Sequence, residues 1–324
     1  MMTTTMIKPT VTRAEKGNSR WYGPSLMSHV VPSEATDGAL TVVQFYGPQG
    51  GEPPLHKHSR DDEFFYVLEG EGTYECNGEK LRARAGSLVW FPCHTEHGFK
   101  FDTPTAKALV GVMPGDFEKW FITFSKPAES MSLPPSDNAF YREDIPRMME
   151  MAGQLGVEFL PPHVTATTPS DKPASCGFTS HRDLVEPLRF PNMTMRFLCG
   201  SDATNGALTV LENELHVGAS IPLHTKKDFE VSLVLEGQTR FQLGDQAVDA
   251  GPGEFIMSPP GSPFGYRNTG SEPCRLIHFM FGGTFDKFAR ELLSLMGDPS
   301  TTWETVCNLL ERHRMTAIAP QIAL

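Results

Sequence analysis

Short runs of apolar, β-branched and aromatic residues alternate with turn signals along most of the chain. LTVVQFY (Leu40–Tyr46), EFFYVLEG (Glu63–Gly70), GTYECNGEKLRARAG (Gly72–Gly86) and SLVWFP (Ser87–Pro92) follow one another, divided by Asn-Gly, Gly and Pro. Such runs predict strands, and Asn77-Gly78 predicts a tight hairpin turn. The same rhythm returns in the second half, where Leu243-Gly244-Asp245 stands at the equivalent turn. Many short strands with turns between them predict an antiparallel sandwich or barrel. Helical spacing appears only after each set of strands, at Phe117–Phe124 and Glu143–Leu155, then at Phe285–Met296 and Trp303–Arg314. The stretch 161–187 is rich in Pro, Thr and Ser and is expected to be a linker.

The two halves are copies. PPLHKHSRDDEFFYVLEGEG, from Pro53, answers IPLHTKKDFEVSLVLEGQT, from Ile221. His56 matches His224 and Gly70 matches Gly237, with a one-residue slip between the histidine and the glutamate. The match extends to Gly38-Ala39-Leu40 with Gly206-Ala207-Leu208, to Gly86 and Pro92 with Gly253 and Pro259, and to GDFEKW (from Gly115) with GTFDKF (from Gly283). A tandem duplication of one fold accounts for this pattern.

Composition narrows the classes. At 324 residues, 39% hydrophobic and 21% charged, the chain can bury two cores. A net charge of −11 argues against a nucleic-acid binder and against docking on an anionic membrane. No apolar run reaches the length of a membrane span, and the opening MMTTTMIKPT carries no apolar secretory core. The six cysteines, at 76, 93, 176, 199, 274 and 307, form no Cys-x-x-Cys pair. Free thiols and a cytoplasmic location are therefore expected.

The chemistry concentrates in the first copy. His56 and His58 are two apart, so on a strand both rings leave the same face. Glu63 follows on the next stretch and His97 comes from a distant strand just after Pro92. Three imidazoles and one carboxylate suit iron, manganese, nickel, copper, cobalt or zinc as divalent ions.

These residues resemble the two motifs of the cupin family. The first, G-x5-H-x-H-x(3,4)-E-x6-G, runs from Gly50 through His56, His58 and Glu63 to Gly70 with every spacing met. The second, G-x5-P-x-G-x2-H-x3-N, fits at Gly86, Pro92 and His97, with His94 at the inner glycine and Phe101 at the terminal asparagine. The family spacing admits Asp62 as the acid; aligning VLEG in both copies sets Glu63 opposite Glu230 and favours Glu63. The resemblance implies an all-β chain with a few helices, built as tandem double-stranded β-helix (jelly-roll) barrels. The expected domains are 1–160 for an N-terminal metal barrel with trailing helices and 188–324 for a C-terminal barrel with its own helices. One divalent metal per chain is expected, with iron named first, held by His56, His58, Glu63 and His97.

The second copy keeps Gly218, His224, Glu230 and Gly237, and later Gly253, Pro259, Gly261 and Asn268, but Lys226 and Phe264 stand where His58 and His97 stand in the first. A charged lysine has no lone pair to offer a metal, and phenylalanine has none at all. Lys226 is expected to lie near Glu230, and this barrel is expected to bind no metal.

The pattern is most similar to quercetin 2,3-dioxygenase-like bicupins, through EFFYVLEGEG, the GDFEKWF segment and GVEFLPP from Gly156. That resemblance implies a dioxygenase acting on a phenolic or enolisable small molecule, with Glu63 as both ligand and catalytic base. Val43, Phe45, Phe65, Val67, Trp90 and Phe99 are expected to line the pocket. Two other readings compete: a non-oxidative metal enzyme (isomerase, cyclase or decarboxylase) and a non-catalytic binding bicupin. The expected partners are a small-molecule substrate and, for an oxidative reaction, dioxygen, in a monomer or homodimer.

Overall fold

The Leu40–Tyr46 run forms the strand Thr41–Pro48, and the three apolar runs after it become Asp62–Glu69, Glu71–Cys76 with Glu79–Arg84, and Ser87–Phe91. In the computed structural model, which describes residues 8–140, 142–161 and 177–318, all strand pairs are antiparallel and mix sequence neighbours with distant partners. The described residues fall into two compact units, 14–181 and 182–318 together with 8–13. None of their helices is long and apolar enough to cross a membrane.

In the N-terminal unit an eight-stranded sheet runs, by neighbour, Lys126–Pro127, Ser19–Tyr22, Ser25–Val31, Thr41–Pro48, Thr105–Met113, Asp62–Glu69, Ser87–Phe91 and Phe178–His181. A five-stranded sheet runs Val157–Phe159, His56–His58, Glu96–Phe101, Glu71–Cys76 and Glu79–Arg84. The core between them holds Val43, Phe45, Phe65, Val67, Tyr74, Phe91 and Phe101, with Phe99 packed against it. This is the expected double-stranded β-helix, and the C-terminal unit repeats it. Its inner strands Leu208–Leu215, Cys274–Phe281, Phe229–Glu236 and Glu254–Ser258 follow the same order as their counterparts, and Thr10–Arg13 fills the edge that Phe178–His181 fills in the first unit. Residues 162–176 of the expected linker lie outside the described residues, while Phe178–His181 is a strand paired with Ser87–Phe91.

The shared VLEG glycine has a backbone reason. Gly70 and Gly237 both sit at positive φ, +82° and +84°, where the chain turns out of one strand into the next. A Cβ at Gly70 would also lie 2.9 Å from the Thr105 carbonyl oxygen. Only glycine meets both demands.

The expected helices appear at Glu118–Thr123, Ile145–Leu155, Phe285–Met296 and Trp303–Arg312. The segment after Leu155 does more than trail the barrel. Gly156, at φ +80°, ends the helix, and Val157–Phe159 then pairs with His56–His58. The strand that carries two of the histidines is thus hydrogen-bonded on both sides.

Candidate metal centre

His56 and His58 leave one face of their three-residue strand, and Lys57 leaves the other to meet Glu158 at 2.8 Å. His97 stands directly opposite His56 on the neighbouring strand. Glu63 comes from the facing sheet, between Val112 and Phe91. Two sheets therefore deliver four side chains to one place: one ligand atom from each lies within 4.8 Å of the others, and all four residues are buried. Among the described residues, this is the one such group of three or more.

The hydrogen bonds orient the rings. His56 Nδ1 lies 2.8 Å from the Pro54 carbonyl, His97 Nδ1 2.9 Å from the Thr95 carbonyl, and His58 Nδ1 3.1 Å from Asp61 Oδ2. Each partner can only accept, so each Nδ1 carries a proton and each Nε2 is the nitrogen left to face the other ligands. His58 Nε2, His97 Nε2 and Glu63 Oε2 are buried without a hydrogen-bond partner. The last two lie 2.9 Å apart, yet out of hydrogen-bond alignment. Unsatisfied buried acceptors cost about 1–3 kcal/mol each. Three of them aimed at one point, beside a fourth ligand, make a donor set that fits a divalent cation.

Electrostatics agree. Burial, with the neighbouring His97 and His58, pulls the His56 imidazole down to about 3, so it stays neutral and able to ligate. Burial alone would push the Glu63 carboxyl up; its contact with His97 and the other two imidazoles outweigh this and hold it below the usual carboxylate range.

Asp62, the alternative acid, turns away, and its Oδ1 accepts the Cys93 N–H at 2.7 Å. His94 is exposed and sits at φ +68°, the left-handed region that the motif's glycine, Gly261 at φ +78° in the second copy, adopts without strain. His94→Gly is therefore expected to stabilise the chain by about 0.5–1 kcal/mol, the strain relieved less the added freedom of the unfolded chain. Urea unfolding checks this, and a loss of stability would sink it.

The pocket lining needs one correction. Trp90 was expected to face inward, but Phe91 does: its ring stacks on His97 at 4.6 Å. Trp90 pairs with Phe64 across the strands and falls outside the inner core. Every residue of Ser87–Phe91 is buried, so no polar alternation marked which face was inside. The sequence reading also missed Asp61, Phe117 and Phe159; the two rings lie 5.0 Å from His58 and 6.0 Å from His56. Asp61 had one local signal, an acid three residues after His58. The two rings had none, because they reach the site from later elements.

In the C-terminal unit Phe264 stands opposite His224, as His97 does opposite His56, and His224 Nδ1 holds the Pro222 carbonyl at 2.9 Å. Lys226 is buried, pairs with Glu230 as expected, and has its Nζ 4.8 Å from the Phe264 ring centroid. Burial pulls its ammonium down to about 7, against the charge of Asp228. Further in, Ser232 and His278 both meet Glu230 Oε1 at 2.8 Å, and Tyr266 links His278 to Asn213. By strand register these four polar residues occupy the places of Phe65, Val110, Phe99 and Phe45. Lys226→Met would strand a buried carboxylate and should destabilise this unit by about 3–5 kcal/mol. A urea transition within about 1 kcal/mol of the parent would contradict that.

Comparison with known proteins agrees with the fold. The family model described as the cupin domain matches twice, over residues 42–113 and 212–280. Quercetin 2,3-dioxygenase of Bacillus subtilis (strain 168) is 31% identical over 126 residues, 39% of this chain and 37% of that one. The matched stretch thus spans little more than a third of that relative. An oxalate-binding protein of Thermotoga maritima is 33% identical over 73 residues, 22% of this chain and 57% of that one. Among solved structures, the formate complex of Lactobacillus farciminis oxalate decarboxylase superposes with a TM-score of 0.59 at 16% identity, over 94% of this chain and 96% of that one. Bacillus subtilis oxalate decarboxylase at pH 4.6 gives 0.59 at 15%, over 97% and 88%. At these identities the structural likeness is one of fold.

Proposed function

The chain carries two cupin domains, and on that footing we propose that its N-terminal barrel is the metal site of a quercetin 2,3-dioxygenase-type enzyme acting on a phenolic or enolisable substrate. His56, His58, Glu63 and His97 would hold one divalent ion, with iron the first choice. Bound there, the ion would supply Lewis acidity toward a substrate oxygen.

The observation that carries the reading is the aromatic packing beside the ligands. Phe65, Tyr74 and Phe99 lie within 5.0–5.5 Å of one another, centroid to centroid, and Phe91 stacks on His97. The fold does not demand an aromatic interior, since the sister barrel places Ser232, Asn213 and Ser258 where Phe65, Phe45 and Phe91 stand. Among the described residues of the N-terminal unit, no lysine or arginine is buried. A flat, apolar, oxygenated molecule suits such walls better than a small dianion. The 31% match to a quercetin 2,3-dioxygenase supports the same substrate class.

The residues of the proposed site divide the work. The three histidines fix the site through their outward Nδ1 bonds. Glu63, buried and held ionised, takes the proton from a substrate hydroxyl onto its carboxylate. The aromatic wall orients the substrate ring and excludes water.

A second reading, a non-oxidative metal enzyme, draws support from the match to an oxalate-binding protein. Metal analysis of the purified chain, then oxygen uptake with a panel of phenols and enolisable ketones, separates the two. Uptake with stoichiometric product supports the dioxygenase. Substrate loss without oxygen consumption replaces it with the second reading.

A further inference from the structure

We propose that Asp61 is a positioning residue for the metal centre, holding His58 by its Nδ1–H and supplying the second negative charge that balances a divalent ion. The inference rests on the metal reading above and goes beyond it, since no motif position includes Asp61.

Asp61 is only 4% exposed, and its Oδ2 lies 3.1 Å from His58 Nδ1. The other two imidazoles donate to neutral carbonyls, so His58 alone is backed by a carboxylate. A bond to an anionic acceptor is stronger than one to a carbonyl, and it draws the Nδ1 proton outward, making Nε2 a better donor. Among the described residues Asp61 has no lysine or arginine within ion-pair distance, only the imidazole. A buried carboxylate so placed needs a positive charge nearby. A bound ion on the far side of the His58 ring, where the four ligand atoms meet, would supply it. Glu63 and Asp61 together carry the two negative charges that a divalent ion requires.

The second barrel gives an independent view. Asp228 stands two residues before Glu230, as Asp61 stands before Glu63, and it too is buried. Its charge acts on Lys226, the residue in the place of His58, and Arg314 Nη1 lies 3.6 Å from its Oδ1. The carboxylate is kept in both copies, while the residue in the place of His58 has changed. In the copy without a ligand set, that group is itself a cation. In the copy with one, it is an imidazole whose Nε2 is turned inward. Where Lys226 brings an ammonium beside Glu230 in one barrel, a bound ion would bring the positive charge in the other.

Cobalt(II) is a suitable probe, because its visible bands report ligand geometry without turnover. Asp61→Asn keeps an acceptor oxygen and removes the charge; Asp61→Ala removes both. Cobalt affinity of the full-length apo chain should fall about tenfold in Asp61→Asn and about 100-fold in Asp61→Ala, the span usual for such outer partners of a metal ligand. The bands of the bound ion should shift, while the melting temperature of apo Asp61→Asn stays at the parent value. Asp228→Asn should leave cobalt binding unchanged. If Asp61→Ala fails to fold, Asp61→Asn still decides. A parent that binds one equivalent beside an Asp61→Asn chain of equal affinity and spectrum overturns this inference alone. A parent that binds no cobalt overturns it together with the metal reading.

Discussion

A His58→Ala chain is expected to leave purification nearly free of metal, where the parent carries about one equivalent. If four ligands share a binding free energy of about 10–16 kcal/mol, losing one removes about 3–4 kcal/mol, or about 100- to 1,000-fold in affinity. The local structure offers no substitute. Lys57 points to the opposite face and pairs with Glu158, while Asp62 is held by the Cys93 N–H. His97→Ala should behave alike, because its ring is the one that faces His56 across the ladder. His224→Ala should change nothing, since Lys226 and Phe264 leave that barrel without a donor set. Elemental analysis decides. Full occupancy in His58→Ala would refute the ligand assignment, and two equivalents in the parent would refute the single site.

Glu63→Gln should separate binding from chemistry. Glutamine keeps a carbonyl oxygen toward the ion but cannot take a proton. Much of the metal should therefore remain while turnover falls about 100- to 10,000-fold, the usual contribution of a general base. Asp62→Asn is the matched control. It retains an oxygen for the Cys93 N–H and should stay within a few-fold of the parent in both measures. The reverse pattern, a silent Glu63→Gln beside an inactive Asp62→Asn, would mean that the adjacent acid does the work.

The two-barrel fold was legible in the sequence because its signals are local and repeated. Strand runs end at Asn-Gly, Gly and Pro, and the copied VLEG block aligns the halves to within one residue. The clustering of His56, His58, Glu63 and His97 was legible for a similar reason. A His-x-His on a strand must put both rings on one face, and the second copy shows by contrast which positions changed chemistry. Lys226 beside Glu230 followed from charge alone, since a buried carboxylate and a buried ammonium each need a partner.

Other features were decided only when distant strands met. Whether Trp90 or Phe91 looks inward depends on the register of Ser87–Phe91 against Asp62–Glu69, and a strand buried on both faces carries no alternation to reveal it. The left-handed turn at His94 looked like a lost glycine and proved to be the same backbone bearing a side chain. Asp61 could be known as the partner of His58 only from the bend that brings it back under the ring. The polar column of Ser232, His278, Tyr266 and Asn213 is spread over four strands and has no sequence period. The sequence by itself determined the repeat, the strands and which barrel keeps the four clustered side chains, because spacing along one strand is enough for that. The tertiary structure alone decided what surrounds the ligands, because those contacts join residues that only the packing of two sheets brings within reach.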